Sequence, residues 1–123
     1  MKKTLALHAL NGAPYYIGAF LVGAYQEILG DLHNLFGDTH AVHVSVDDDN
    51  AVVLEAVIKG DTVREVLGYV QFDGEVLTAR IIRDSEAAVR AGRLDVAQAG
   101  RLTRFYEEGL NGYTYLEERH DGD

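Results

Sequence analysis

Three residues, Gly23-Ala24-Tyr25, close a near-continuous apolar run and offer the chain's best candidate chemistry. A phenol donates a hydrogen bond without adding a charge, and a neighbouring glycine lets the backbone come close to a group that a Cβ would hold off. The same phenol would also suit a protein core, where its hydroxyl merely finds a partner. A little further on, Asp31, His33 and Asp38 stand where they would line the mouth of a pocket at that point. Carboxylates on the solvated face of a short helix are nevertheless the commoner situation.

Other chemistries find less support. His33, His40 and His43, with Asp31 and Asp38, invite a zinc or nickel site. His40 and His43, however, lie three apart on an expected strand and so point to opposite faces, which argues against a shared ion. Asp47 to Asn50 begins like a calcium loop, but no glycine stands at the sixth place and Glu55 comes too early to close it. It reads as a turn. Ser45 and Ser85 belong to no nucleophile elbow, and no glycine-rich phosphate loop precedes a helix. With no cysteine in the chain, a disulfide scaffold, a cysteine-rich zinc site and a thiol nucleophile are all excluded.

The elements that must position these residues are set by periodicity. Tyr15 to Tyr25 is too short to cross a membrane as a helix, and its aromatic and branched residues predict a strand buried on both faces. Gly23 inside such a strand marks a place of close approach. From Gln26 the spacing of Ile28, Leu29, Leu32, Leu35 and Phe36 predicts a short helix that Gly37 ends. Before the central strand, Thr4 to Leu10 alternates as an edge strand would, and Asn11-Gly12 supplies a turn. His40 to Val46 alternates strictly, with Val42, Val44 and Val46 on one face. After the polar turn, Ala51 to Ile58 returns with Val52, Leu54, Ala56 and Ile58 on one face, completing an antiparallel hairpin.

Beyond Gly60 the period is helical. Thr62 and Glu65 fit a capping box ahead of Val63, Val66, Leu67 and Val70. Asp73-Gly74 breaks that helix, a second runs from Glu75 to Ala91, and a third opens at Asp95 with Leu102, Phe105, Tyr106, Leu110 and Tyr113 on one side. The expected architecture is α+β and a single domain, with a strand-rich part over residues 1–60 and a helical part of about three helices over 61–123.

The chain has 123 residues, enough to bury roughly two-thirds of its unfolded surface. Eleven Lys and Arg stand against twenty Asp and Glu, a net charge of -9, which argues against nucleic acid as a partner. The arginines of the last two helices are interleaved with acids, as on a solvated face or the rim of a subunit contact. Met1-Lys2-Lys3 begins like a signal peptide, but His8 interrupts the apolar stretch Thr4 to Leu10 and no small-residue cleavage site appears. Gln26 and Glu27 cut short the one apolar run that approaches membrane length. A cytoplasmic chain without a membrane partner is expected.

The string FLVGAYQEILGDLHNLFGDTHAVHV, Phe20 to Val44, closely resembles the C-terminal part of biosynthetic arginine decarboxylase, a pyridoxal-phosphate enzyme with an alanine-racemase-like barrel. The resemblance continues through GDTVREVLGYVQFD, Gly60 to Asp73, and EEGLNGYTYLE, Glu107 to Glu117, so it covers essentially the whole chain. It implies antiparallel strands from the C-terminal β-domain of a fold-type III decarboxylase, followed by a helical unit. In that family the tyrosine of the Gly-Ala-Tyr segment reaches the cofactor phosphate, which makes Gly23, Ala24 and Tyr25 the implied cofactor-binding residues.

In that family the cofactor-binding lysine and the barrel precede the stretch this sequence matches, so the chain resembles a terminal piece and is expected to carry no catalytic residue of its own. The implied activity of the intact enzyme is conversion of L-arginine to agmatine and carbon dioxide, a step of polyamine biosynthesis. Implied partners are the barrel-bearing N-terminal part, L-arginine and further copies in a homo-oligomer. Asp31, His33 and Asp38 would then line the mouth of that pocket, where carboxylates suit a guanidinium by bidentate pairing, although the resemblance assigns none of the three a role of its own. Family use of magnesium is implied as well, though no residue here places that ion. Two other readings stand beside this one: a standalone binding or assembly module paired with a separate barrel chain, and a small acidic structural protein without a ligand.

Overall fold

A computed structural model describes residues 3–13, 15–23 and 25–115. The elements within them are a 3-10 turn at Ile28–Gly30, strands β1 (Ala41–Val46) and β2 (Val52–Ile58), and helices α1 (Val63–Tyr69), α2 (Gly74–Arg90) and α3 (Val96–Leu110). The arrangement is α+β: one two-stranded antiparallel sheet followed by three helices.

The hairpin forms where alternation predicts it, closed by Asp47, whose side chain accepts hydrogen bonds from the N–H groups of Asp49 and Ala51. Its register departs from strict alternation. His43 pairs with Ala56 but Val44 pairs with Leu54, leaving Glu55 as an extra residue on β2. A bulge of this kind moves everything beyond it to the other face. Val57 therefore stands opposite Val42, while Ala56 and Ile58 fall on the reverse side from Val52 and Leu54. One face now carries Val42, Val44, Val46, Val52, Leu54 and Val57, all exposed.

Each helix starts on a side-chain cap. The Thr62 hydroxyl accepts from Glu65 N–H while the Glu65 carboxylate accepts from Thr62 N–H, the expected capping box. Asp73 accepts from the N–H groups of Glu75 and Val76. Asp95 and Gln98 form a second reciprocal box. Caps of this kind satisfy the orphan donors of a helix's first turn, so the three starts are fixed locally. Gln71 takes a positive φ of 69° in the connection between α1 and α2. The α2 and α3 helices pack along each other, and α1 touches both. On the α2 face turned inward Thr78 and Ser85 are buried, with Ile81 and Ala88 half-buried on the same face, while among the described residues Val66 of α1 and Leu110 of α3 are the buried aliphatic side chains. Phe105 is 73% exposed, off the inner side expected for it. It leads Tyr106 by about 100° around the helix, and Tyr106 and Leu110, one turn apart, hold the packed side.

Before the hairpin the structure differs most from expectation. Thr4 to Leu10 forms no strand, and the described part of Tyr15 to Tyr25 forms none either. The helix expected from Gln26 to Phe36 is reduced to the Ile28–Gly30 turn. A buried strand needs neighbours for its N–H and C=O groups and cover on its faces. Here Phe20, Leu21 and Leu32 are instead exposed, so the apolar pattern is present without the partners that would fold it.

Candidate functional site

The candidate segment begins with a tight turn. Gly23 N–H donates to Gln26 Oε1 at 2.7 Å, and Gln26 N–H donates to the Gly23 carbonyl at 2.9 Å. A Cβ at Gly23 would lie 3.1 Å from Gln26 Oε1, so the close approach expected here is made by the glutamine side chain. Ala24 lies outside the described residues. The Tyr25 side chain is 89% exposed, and among the described residues its hydroxyl has no hydrogen-bond partner. It stands at the surface as a donor.

Asn34 organises the next stretch. Its Nδ2 donates to the Leu29 carbonyl at 2.8 Å and lies 3.1 Å from His33 Nε2, while its Oδ1 accepts from Phe36 N–H at 2.7 Å. Asp31 and His33 are exposed. Asp38 points its carboxylate at the 3-10 turn: a Cβ on Gly30 would collide with Asp38 Oδ1 and lie 2.7 Å from the Gly37 carbonyl. Asp38 thus meets Gly30, whereas no contact joins Asp31, His33 and Asp38 into one group. No three His, Cys, Asp or Glu side chains among the described residues converge to hold a metal ion. The helical unit carries two clefts, of about 400 Å³ between α2 and α3 and about 500 Å³ beside Arg64 and Phe72. Neither is lined by the candidate residues.

A junction that local pattern does not reveal holds this segment to the helices. Asp61, just ahead of the α1 cap, uses both carboxylate oxygens: Oδ2 accepts from Asp38 N–H at 2.9 Å and Oδ1 accepts from the Tyr69 hydroxyl at 2.9 Å. Its N–H donates to the Asp38 carbonyl, and its carbonyl accepts from Thr114 N–H. Tyr115 donates to the Gly37 carbonyl at 3.0 Å. Buried Gly37 has a φ of 72° and packs on Val66 and Asp61, a place where a Cβ would be strained as well as crowded. His40 stacks on Tyr113 with ring centroids 4.0 Å apart, its N–H donates to the Tyr113 hydroxyl, and its Nδ1 accepts from Gly60 N–H.

Electrostatics follow these bonds. The hydrogen bond to Asp61 raises the Tyr69 phenol above its ordinary value, because ionisation would set a phenolate beside a carboxylate. Burial, then the neighbouring Tyr113, raises Tyr115. Hydrogen bonds from the Thr62 N–H and hydroxyl lower Glu65.

A two-stranded sheet leading into a capped three-helix unit is the class the coordinates define. Residues 63–116 match the family described as the arginine decarboxylase C-terminal helical extension. The chain is 52% identical over 119 residues to the biosynthetic arginine decarboxylase of Rhodopirellula baltica, covering 96% of this chain and 18% of that protein. Identity is 49% over 121 residues with the Gloeobacter violaceus enzyme, covering 94% and 19%. With that of Phocaeicola vulgatus it is 52% over 114 residues, covering 92% and 18%. Across nearly its whole length, the chain matches the C-terminal region of the biosynthetic arginine decarboxylase family. It spans less than a fifth of the length of these relatives.

Proposed function

We propose that this chain serves as the C-terminal region of a biosynthetic arginine decarboxylase, contributing to a pyridoxal-phosphate site and to assembly while the reacting groups lie in the rest of the enzyme. The reaction takes L-arginine and a proton to agmatine and carbon dioxide. The observation that carries this reading is identity near one half across 96% of the chain. The residues present also suit the cofactor: Tyr25 offers an exposed, unpartnered phenol, a donor fitted to a phosphate oxygen, while Gly23 N–H is already taken by Gln26. When bound, the cofactor supplies the electron sink for loss of the carboxylate. Tyr25 would orient it by its phosphate, and Asp31, His33 and Asp38 would stand near the entry. The exposed aliphatic face of the hairpin, Val42, Val44, Val46 and Leu54 among it, supports a role in assembly with the remainder of a cytoplasmic, oligomeric enzyme.

A graft tests this. The Rhodopirellula baltica enzyme with its matching C-terminal portion replaced by this chain should bind pyridoxal phosphate and release agmatine. Tyr25→Phe in that graft should weaken cofactor binding by roughly tenfold, the scale of one lost hydrogen bond to a charged group. A soluble graft that binds no cofactor would sink the reading. This chain by itself should form no agmatine, and a measurable rate would overturn the assignment of the reacting groups to the rest of the enzyme.

A further inference from the structure

Apart from Gly37, which packs on Val66 and Asp61, the described apolar residues of the Gly23–Asp38 segment bury little against the rest of the chain. Leu29, Leu32, Leu35 and Phe36 are each more than half exposed. Hydrogen bonds inside the segment shape its turns, as described for Gln26 and Asn34, but they do not fix where those turns lie. Among the described residues, three hydrogen bonds tie residues 23–38 to the rest of the chain: Asp38 N–H to Asp61 Oδ2, Asp61 N–H to the Asp38 carbonyl, and the Tyr115 hydroxyl to the Gly37 carbonyl. All three donors or acceptors on the far side belong to Asp61 or Tyr115. Both of these are anchored in turn to the helical unit. Tyr69 at the end of α1 donates to Asp61, Thr114 N–H donates to the Asp61 carbonyl, and Val63 N–H donates to the Gly112 carbonyl just beyond α3.

The contact path then continues towards Tyr25. Asp38, held by Asp61, presses its carboxylate on Gly30, and no side chain fits between them. Gly30 ends the 3-10 turn that starts two residues after Gln26, the residue that closes the Gly23 turn. Asp61 to Asp38 and Asp38 to Gly30 are direct contacts, and the peptide chain carries the last step from the 3-10 turn through Glu27 to Gln26 and Tyr25.

We propose that the helical extension positions the Gly23–Asp38 segment, and with it Tyr25, through Asp61, which is therefore a positioning residue for the cofactor-binding turn. The structural half of this statement concerns the chain alone, and its consequence for the cofactor rests on the functional reading above. A carboxylate suits the place because it accepts from two donors at once, one from each body it joins. Asparagine can keep both contacts, with Oδ1 towards Asp38 N–H and Nδ2 donating to the Tyr69 oxygen. Alanine keeps neither.

Amide hydrogen exchange on this chain, followed by NMR, reads the structural half. The probes are the N–H groups of Gly30 and Asp31, which bond to the Glu27 and Ile28 carbonyls and do not touch Asp61. In Asp61→Ala these two should exchange roughly tenfold faster while α3 keeps its rates, and Asp61→Asn should restore them. Unchanged rates at Gly30 and Asp31 in Asp61→Ala would overturn the proposal. Should Asp61→Ala loosen α3 as well, Tyr69→Phe decides: it removes the donor by which α1 holds Asp61 and keeps the ring, so faster exchange at Gly30 supports the proposal and unchanged exchange refutes it.

The grafted enzyme reads the second half. Asp61→Ala should raise the dissociation constant for pyridoxal phosphate roughly tenfold with kcat at saturating cofactor kept within about twofold, and Asp61→Asn should recover the affinity. If the unmodified graft binds the cofactor and Asp61→Ala binds it equally well, the proposal fails. Failure of the unmodified graft to bind would fall on the functional reading instead, and the exchange rates would still decide the structural half.

Discussion

Residues 15–36 and residues 62–115 are both rich in apolar side chains, yet among the described residues only the second stretch has buried aliphatic ones. Tyr16, Phe20 and Leu21 lie in water, while Val66 and Leu110 are 4% and 5% exposed. The difference lies in where each stretch must find its hydrogen bonds. A helix pairs its own backbone four residues away and closes its first turn on a nearby side chain, so Thr62, Asp73 and Asp95 suffice to start α1, α2 and α3. A buried strand has no such recourse, because every ladder bond comes from another segment. The hairpin stands between the two, since β1 and β2 supply each other's ladder but neither covers the other's faces. A helical appendage can therefore fold on what it carries, whereas a piece of sheet carries instructions that only its neighbours complete.

The sharpest break of this comparison would come from truncating an apolar residue in each stretch. Leu110→Ala should cost about 2 to 5 kcal/mol in urea unfolding followed by circular dichroism, the range for deleting a buried leucine side chain. That is a large part of the whole stability of a small domain. Phe20→Ala should stay within about 0.5 kcal/mol, as for a surface change. Equal effects would show that the first stretch is packed after all, and the contrast drawn between the two regions would fall.

Local signals were legible in the sequence to the extent that the physics is local. The Thr62–Glu65 box, the break at Asp73-Gly74 and the Asp95 start all stand where spacing put them, and so does the hairpin. The bulge at Glu55 escaped, because an alternating run gives no mark of an unpaired residue. The apolar pattern of residues 15–36 was read correctly as a pattern but not as a structure, since the faces it asks for lie on other segments. Least legible was the junction. Tyr115 reaches Gly37 across 78 positions and Tyr113 reaches His40 across 73, distances at which no periodicity connects two residues. Nothing in the local pattern around Asp61 or Asn34 marks either as a junction residue. Of the candidate site, the sequence pointed to Gly23, Ala24 and Tyr25 and to Asp31, His33 and Asp38, and the structure adds that Asp38 is held from the helical side.

A smaller effect sharpens the claim that the helices start on their own residues. Asp95→Ala removes the acceptor for Gln98 N–H at 2.7 Å and should cost about 1 kcal/mol. The helical circular dichroism signal should keep most of its amplitude, because the rest of α3 still packs on α2. Asp95→Asn should recover most of the loss, since an amide oxygen caps nearly as well. A full collapse of the signal in Asp95→Ala would mean that α3 depends on one cap far more than a helix of this length should.

The smallest effect is expected at the seam between the two regions, where Tyr69 donates to Asp61. Bonding to that carboxylate raises the phenol above its ordinary value. Because the folded value is the higher one, the stabilisation is complete below the ordinary tyrosine value of about 10 and is lost as pH rises through the folded value. Between those two points the unfolded chain has released the proton and the folded chain has kept it, so stability falls with rising pH. Tyr69→Phe has no proton to lose. Near neutral pH it should be less stable by about 0.5 kcal/mol, a single exposed hydrogen bond. Above pH of about 10 its stability should fall less steeply than that of the parent chain, so that the two curves converge. Parallel curves across the alkaline range would mean that the phenol is not bonded to Asp61 in solution, and the seam would then rest on the bonds of Asp61 to Asp38 and Thr114 and of Tyr115 to Gly37.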